Sequence, residues 1–410
     1  MWFGKSISQS TMRITLIADT FPPLRTSGSI QLRDLSQEFI RQGHSLTVIL
    51  PSSDQKEIWS LDLVDSSLSI LRLKTLRTKD TNYFRRTLSE LLMPFIMLWQ
   101  FRKSPLVNEK WDGVLWYSPS IFHGFFASYI KKISNCKGYL IIRDIFPEWA
   151  VDMGLMSRNG LPYRFFDAVA RYQYSVANII GVQTQGNLKY FDEWKQQPGR
   201  KLQVLNNWLG KQTYAQCSIR ISESILAGRK IFVYAGNMGI AQGMDTLINL
   251  VEELKNRDDI GFVFVGRGSE VERLKIHSIE RRLNNILFFD EIDPDEIPIL
   301  YKQCDVGLIA LDSRHNSHNI PGKFLTYIRS GLPVLATINK DNDLATLIKK
   351  EAVGMVCVNN QVLELKNLAE TLIDKVVNED HEISNRCVSL YKRKFSVNST
   401  VKQIVSALSD

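Results

Sequence analysis

The residue types best suited to chemistry cluster in the second half of the chain. In VYAGNMGIAQGMDTLINL (233–250) an apolar run ends in a turn carrying Gly236, Asn237, Gly239 and Gln242, and a helical pattern follows. VFVGRGSEVERLK (263–275) repeats the arrangement with Gly266, Arg267 and Gly268. Glycine-rich turns of this kind let backbone N–H groups approach an anion, and the positive end of the next helix favours negative charge there. A third turn lies in HNSHNIPGKF (315–324), where Pro321-Gly322-Lys323 precedes FLTYIRSGLPVLA. Proline near a helix start and glycine after its end predict a helix from about 322 to 330. Its free N–H groups, with Lys323 and Arg314 close in sequence, would make an anion site. Each turn alone also suits a plain strand-to-helix connection, but three in one domain favour a nucleotide diphosphate. Zinc at His315 and His318 is the competing idea. Zinc needs three or four ligands, and no cysteine or suitably spaced carboxylate completes a set.

The first half offers two further places. In FPPLRTSGS (21–29), Ser27, Gly28 and Ser29 lead into a helix expected to begin near Ile30, again with free N–H groups. LIIRDIFPEWA (140–150) ends a buried strand with Arg143 and Asp144, then Pro147 and Glu148. The carboxyl end of a strand is where ligands meet an open α/β sheet. Asp144 suits the role of hydrogen-bond acceptor for a substrate hydroxyl and Glu148 that of an alternative base, although aspartate at a strand end is also a common turn former. His123, among aromatics in PSIFHGFFA, reads as a core histidine.

The elements that must position these residues are legible as apolar runs. RITLIAD (13–19) and QLRDLSQEFIRQGHSLTVIL (31–50) make strand, helix, glycine stop and strand. DGVLWYS, YLIIRD and NIIGVQT continue the series. KIFVYAG, GFVFVG, NILFFD, DVGLIAL, LPVLAT and GMVCV form a second one. Two successive β-α series imply two doubly wound α/β domains, with a linker near 195–210. One segment stands apart. YFRRTLSELLMPFIMLWQFRKSP (83–105) holds the apolar run Leu91–Phe101 between Arg85, Arg86 and Arg102, Lys103, and RLKTLRTK (72–79) adds cations upstream. The run is too short to span a bilayer. It suits either a core helix or an interfacial element resting on anionic lipid.

Charge supports an anionic partner for the first half. Residues 1–205 carry 26 Lys/Arg against 17 Asp/Glu, and residues 206–410 carry 25 against 26. Five widely spaced cysteines, with no CxxC, fit a reducing compartment. The opening MWFGKSISQST lacks an apolar stretch long enough for a signal peptide, and residues 1–11 read as a loose extension. No basic–aromatic interleaving suggests a nucleic-acid platform. The first strand is not followed by GxGxxG, which argues against a nucleotide-dependent oxidoreductase.

YAGNMGIAQGMDTLI, FVFVGRGSEVERLK, FFDEIDPDEIPILYKQCDVGLIAL and KFLTYIRSGLPVLA occur in that order, after IADTFPPLRTSGSIQLRDLSQEFIRQGHSLTVI. Together they are similar to the retaining glycosyltransferases of the GT4-type family. RDIFPEWAVDMGLM and NSHNIPGKF resemble its bacterial O-antigen and capsule members, in particular the L-fucosamine (FucNAc) transferases of O-antigen clusters. The resemblance implies the GT-B fold, two Rossmann-like domains facing across a cleft: an acceptor domain over 1–205, a donor domain over 206–385, and a C-terminal helix over 386–410 returning to the first domain. It implies a UDP-sugar donor, no metal or other cofactor, and an undecaprenyl-pyrophosphate-linked saccharide as acceptor. The enzyme would be cytoplasmic and peripheral on the inner face of the membrane, touching anionic lipid through 72–105. Asp144, Glu148 and Lys323 would serve catalysis. Ser27, Gly28, Gly236, Asn237, Gly239, Gln242, Gly266, Arg267, Arg314, Pro321, Gly322 and Thr326 would hold the donor. Asp293-Pro294-Asp295 would cap a helix rather than bind a metal.

Three departures stand out. Asn237 and Gln242 occupy positions where the family often has Arg and Lys. His318 and Thr326 replace two glutamates, the second of which commonly holds the ribose. Asp144 stands at or near a frequent histidine. A UDP-sugar 2-epimerase on the same fold, or a binding protein with a dead site, are the alternatives.

Overall fold

The computed structural model describes residues 11–24, 26–77, 83–239, 242–311, 320–340, 342–378 and 381–410, with only the backbone of residues 83 and 84. Arg314, His315 and His318 lie outside the described residues. The chain forms two compact units, one of residues 1–206 with 400–410 and one of residues 207–399.

The first unit runs β1 (Arg13–Ile17), α1 (Ser27–Arg41), β2 (Ser45–Ser52), β3 (Trp59–Leu63), β4 (Leu68–Lys74), α2 (Tyr83–Phe101), β5 (Gly113–Tyr117), α3 (Gly124–Ser134), β6 (Lys137–Ile141), α4 (Glu148–Asp152), α5 (Leu161–Val176), β7 (Ile179–Val182), a 3-10 stretch (Gln185–Phe191), α6 (Asp192–Lys195) and β8 (Lys201–Val204). Its sheet has the order β3-β4-β2-β1-β5-β6-β7-β8. Every pairing is parallel except β3 with β4. The central strands are apolar throughout because helices cover both faces. The strand order reverses between β1 and β5, which makes the carboxyl ends of these strands the natural ligand position.

The second unit runs β9 (Lys230–Ala235), α7 (Met244–Glu253), β10 (Ile260–Val265), α8 (Val271–Glu280), β11 (Ile286–Phe289), α9 (Ile297–Tyr301), β12 (Val306–Ala310), α10 (Gly322–Arg329), β13 (Val334–Thr337), α11 (Asp343–Glu351), β14 (Gly354–Cys357), α12 (Val362–Asn378) and α13 (Glu382–Leu390). The sheet is wholly parallel in the order β11-β10-β9-β12-β13-β14, so its reversal lies between β9 and β12. Both expected sets of strands are present, and the α/β, doubly wound fold class holds for each unit.

Four details differ from the sequence reading. The cation-rich stretch at 72–79 begins in a strand: Arg72 pairs with Asp62 across the β3–β4 ladder, and the Lys74 ammonium donates to the Lys56 carbonyl at 2.9 Å. Residues 201–204, read as linker, form β8. Helix α1 starts at Ser27, three residues before Ile30, because Thr26 caps it by accepting from the Ser29 N–H at 3.2 Å. The tail is not one helix over 386–410. After α13 come a π turn (Tyr391–Phe395) and α14 (Val397–Ser409), and only residues 400–410 belong to the first unit. There the Gln403 amide donates to the Val204 carbonyl at 2.8 Å and Lys201 pairs with Asp410 at 2.6 Å. Leu408 packs so close to β5 that a Cβ on Gly113 would stand 2.7 Å from its Cδ1, which is why glycine opens that strand.

Candidate functional site

In the second unit the two glycine turns form one cradle at the ends of β9 and β10. The Gly236 N–H donates to the Val265 carbonyl at 2.9 Å, the Met238 N–H to Arg267 at 2.8 Å, and the Glu270 N–H to Met238 at 3.0 Å. Gly266 has φ 142° and Gly268 φ 150°. A Cβ there would lie 2.1 Å from the Gly236 carbonyl oxygen and 2.3 Å from that of Met238. Only glycine allows both the dihedral and the approach. Gly236, with φ 137°, leaves its Cα open toward the side chain of Lys323.

Lys323 is the centre of the arrangement. Helix α10 begins at Gly322 after Pro321, so Lys323 stands in the first turn, where helix N–H groups are free. Its ammonium lies over the Tyr234 ring, 3.7 Å from the centroid, and 3.6 Å from the place a Gly236 Cβ would occupy. Partial burial pushes its pKa down to about 7. Two tyrosines fix this geometry. The Tyr234 hydroxyl donates to the Asn237 carbonyl at 2.6 Å. Tyr327 ties α10 to β9: its hydroxyl donates to the Val233 carbonyl at 3.1 Å and accepts from the Ala235 N–H at 3.2 Å. Nothing in the sequence singles out Tyr234 or Tyr327, because each sits at an ordinary apolar position.

The remaining donor-side candidates are used differently. Asn237 and Gln242 hold the turn. Gln242 Oε1 accepts from the Asn237 amide at 3.1 Å and from the Gly239 N–H at 3.0 Å. Arg267 is exposed and paired with Glu291 at 3.2 Å. The Thr326 hydroxyl donates to the Lys323 carbonyl at 2.8 Å. Asp293 and Asp295 are structural. Asp293 Oδ1 accepts from the Asp295 N–H at 2.9 Å, and the Asp295 carboxylate accepts from the Thr213 hydroxyl. The residue at the N-cap of α9 is Glu296, whose carboxylate accepts from the Ser218 N–H at 2.6 Å.

In the first unit Ser27 and Gly28 occupy the first turn of α1. A Cβ on Gly28 would lie 3.2 Å from Thr20 and 3.5 Å from the Tyr117 hydroxyl. That hydroxyl donates to Gln31 Oε1 at 3.3 Å and has its pKa raised by burial, with Arg143, Asp19 and Asp144 close enough to act on it. Burial also raises the Asp144 carboxyl, against the pull of Arg143. The Arg143 guanidinium keeps a buried Nη1 without a hydrogen-bond partner among the described residues. Asp19, Tyr117, Arg143 and Asp144 thus gather at the carboxyl ends of β1, β5 and β6, where the strand order reverses. His123 is fully buried, and burial lowers its pKa, so it is a neutral core residue.

Glu148 belongs to a different place. It opens α4 and accepts from Arg158 at 2.6 Å and from the Tyr163 hydroxyl at 2.7 Å. Among the described residues no group of three or more His, Cys, Asp or Glu could hold a metal ion.

Residues 218–388 match the family model described as Glycosyl transferases group 1. The chain is 24% identical over 247 residues to the "Probable glycosyltransferase WbjE" of Pseudomonas aeruginosa, an alignment spanning 58% of this chain and 60% of that protein. Among solved structures it is similar to WaaG, a glycosyltransferase involved in lipopolysaccharide biosynthesis (14% identity, TM-score 0.59, covering 97% of this chain and 99% of that one). It is also similar to Anabaena HepE in complex with UDP and glucose (14% identity, TM-score 0.62, with the same coverage). These likenesses show the fold, two Rossmann-like α/β units as in the GT-B glycosyltransferases.

Proposed function

We propose that the protein is a retaining, UDP-sugar-dependent glycosyltransferase that extends a polyprenyl-pyrophosphate-linked saccharide in surface-polysaccharide synthesis, with an N-acetylated deoxyhexosamine such as L-FucNAc as the sugar. The observation that carries the reading is Lys323 at the start of α10, held over Tyr234 against the glycine cradle. A cation and free helix N–H groups at the reversal point of a parallel sheet, set against glycine turns whose own Gly236, Gly239 and Gly266 N–H groups are already bonded, are complementary to a diphosphate. The match to glycosyl transferases group 1 supports a sugar nucleotide as its bearer.

In this reading the cradle and Lys323 take the charge that grows on the departing diphosphate. The acceptor hydroxyl attacks the same face of the sugar, and the leaving phosphate accepts its proton, so no strong dedicated base is required. Gly236, Gly239, Gly266, Pro321 and Gly322 shape the diphosphate site, and Arg267 adds a cation near it; Arg314, expected from the sequence to add another, lies outside the described residues. The first unit takes the acceptor, with Asp144 and Arg143 at its strand ends.

The first unit also supplies a membrane-facing surface. On α2, Leu88, Leu92, Phe95 and Trp99 are 39–55% exposed, at spacings that put them on one stripe, while Met93, Met97 and Phe101 face the core. The Lys103 ammonium lies over the Trp99 ring at 3.5 Å, Arg85 and Arg86 stand in the first turn of the helix, and Arg102 follows its last residue. An aromatic–apolar stripe edged by cations suits an anionic bilayer surface. Among the described residues no helix is long and apolar enough to cross a membrane.

Isothermal titration with UDP tests the donor site directly. Wild-type protein should bind UDP without metal. Lys323→Met should weaken binding by about tenfold to a hundredfold, the range of a lost charge-assisted hydrogen bond. UDP binding indifferent to this substitution would remove the basis of the reading.

A further inference from the structure

The first unit holds a cavity of about 470 Å³ that no step above uses. It lies between the loop after β6, helix α5 and the 3-10 stretch that leads into α6. Ile145, Phe146 and Glu148 form one wall, Asp167, Arg171 and Tyr174 a second, and Tyr190 and Trp194 a third. The volume falls in the roughly 300–1,000 Å³ of small-molecule sites.

The lining selects a ligand class. Four carboxylates, Glu148, Asp167, Asp192 and Glu193, line it with two cations, Arg171 and Lys189, and Arg158, outside the lining, pairs with Glu148 at 2.6 Å. In a first half otherwise rich in positive charge, this is a locally anionic pocket, and it disfavours phosphate or pyrophosphate. Carboxylates accept hydrogen bonds from hydroxyl or amide groups, and the Arg171 fork, already set by Asp167 at 2.8 Å, can donate to a hydroxyl oxygen. Tyr190 is 39% exposed, with Lys189 5.4 Å from its ring centroid. Its open ring offers an apolar face to the C–H side of a sugar ring. The floor is rigid: the Trp194 indole N–H donates to the Tyr174 carbonyl at 2.7 Å, and Tyr174 meets Phe191 edge-on at 5.0 Å.

We infer that this cavity is a saccharide subsite, which takes an uncharged sugar of the acceptor chain on Tyr190 and reads its hydroxyl and acetamido groups with Asp167, Arg171 and Glu148. The inference rests on the reading of the first unit as the acceptor side. It assigns Glu148 to acceptor recognition rather than to proton transfer.

Saturation-transfer NMR with the full chain tests it. The probes are the methyl glycosides of N-acetylglucosamine, N-acetylgalactosamine and glucose, with inorganic pyrophosphate as the anionic competitor. At least one glycoside should bind, and pyrophosphate should not displace it. Tyr190→Ala and Asp167→Asn should each weaken that binding by about tenfold, the equivalent of one stacking or hydrogen-bonding contact. Tyr172→Ala, on an exposed part of α5 outside the lining, should leave it unchanged. No glycoside binding, displacement by pyrophosphate, or binding indifferent to both pocket variants would overturn the subsite. UDP titrated into the same samples separates the two readings. UDP binding without glycoside binding removes the subsite and leaves the donor reading. Glycoside binding lost in both pocket variants, without UDP binding, keeps the subsite and removes the transferase.

Discussion

Lys323 decides most at the scale of single residues, because its pKa of about 7 makes its charge sensitive to ordinary pH. The ammonium is fully charged well below that value and neutral well above it in the empty site. A bound diphosphate favours the charged form and raises the pKa again. UDP affinity should therefore be greatest below about pH 7 and fall as pH rises toward about 9, with proton uptake on binding above neutrality. Calorimetry in buffers of different ionisation enthalpy reads that uptake directly. Lys323→Arg should bind UDP with a much flatter pH profile, since a guanidinium stays charged throughout; an unchanged slope would assign the titration to another group. The sequence already singled out Lys323 through Pro321-Gly322-Lys323. It gave no sign of Tyr234 or Tyr327, because a tyrosine inside an apolar run looks like core until its hydroxyl partner, distant in sequence, is known.

At the scale of elements, the glycine turns were readable because a tight turn demands glycine in the sequence itself. What was hidden was their mutual contact, since Gly266 and Gly236 are neighbours only once β9 and β10 pair. Gly266→Ala would press a methyl against the Gly236 carbonyl, at a φ that L residues rarely adopt. It should destabilise the second unit by roughly 2–4 kcal/mol and abolish UDP binding, as thermal unfolding with and without UDP would show. Strands β3, β4 and β8 were missed for a related reason. They lie toward the sheet edges, half-exposed and charged, so they lack the long apolar runs that mark the buried parallel strands. Helix α2 was legible as apolar, but its division into a core face and an exposed stripe was not. Phe95→Glu with Trp99→Glu should cut sedimentation with anionic vesicles at least severalfold. The wild-type signal should itself weaken in high salt. Equal sedimentation of the double variant would place the membrane contact elsewhere.

At the scale of the whole molecule, two β-α series in one chain announced two doubly wound units. The C-terminal return is held by partners the sequence could not pair, such as Gly113 with Leu408 and Lys201 with Asp410. The proposed division of labour follows from where each unit reverses its strand order. In the second unit that point carries a lysine and glycine turns suited to a diphosphate. In the first it carries Tyr117, Arg143 and Asp144, with a carboxylate-lined aromatic cavity elsewhere on the same unit. The claim that joins them is transfer of a sugar from UDP to a lipid-linked saccharide without a metal. The measurement that tests it most directly is UDP release in EDTA, with a panel of UDP-sugars, in the presence and absence of pyrophosphoryl-lipid-linked N-acetylglucosamine. The account predicts release that requires both one particular donor and the lipid acceptor. Release from the donor alone, or none from any pair by a protein that binds UDP, would contradict it.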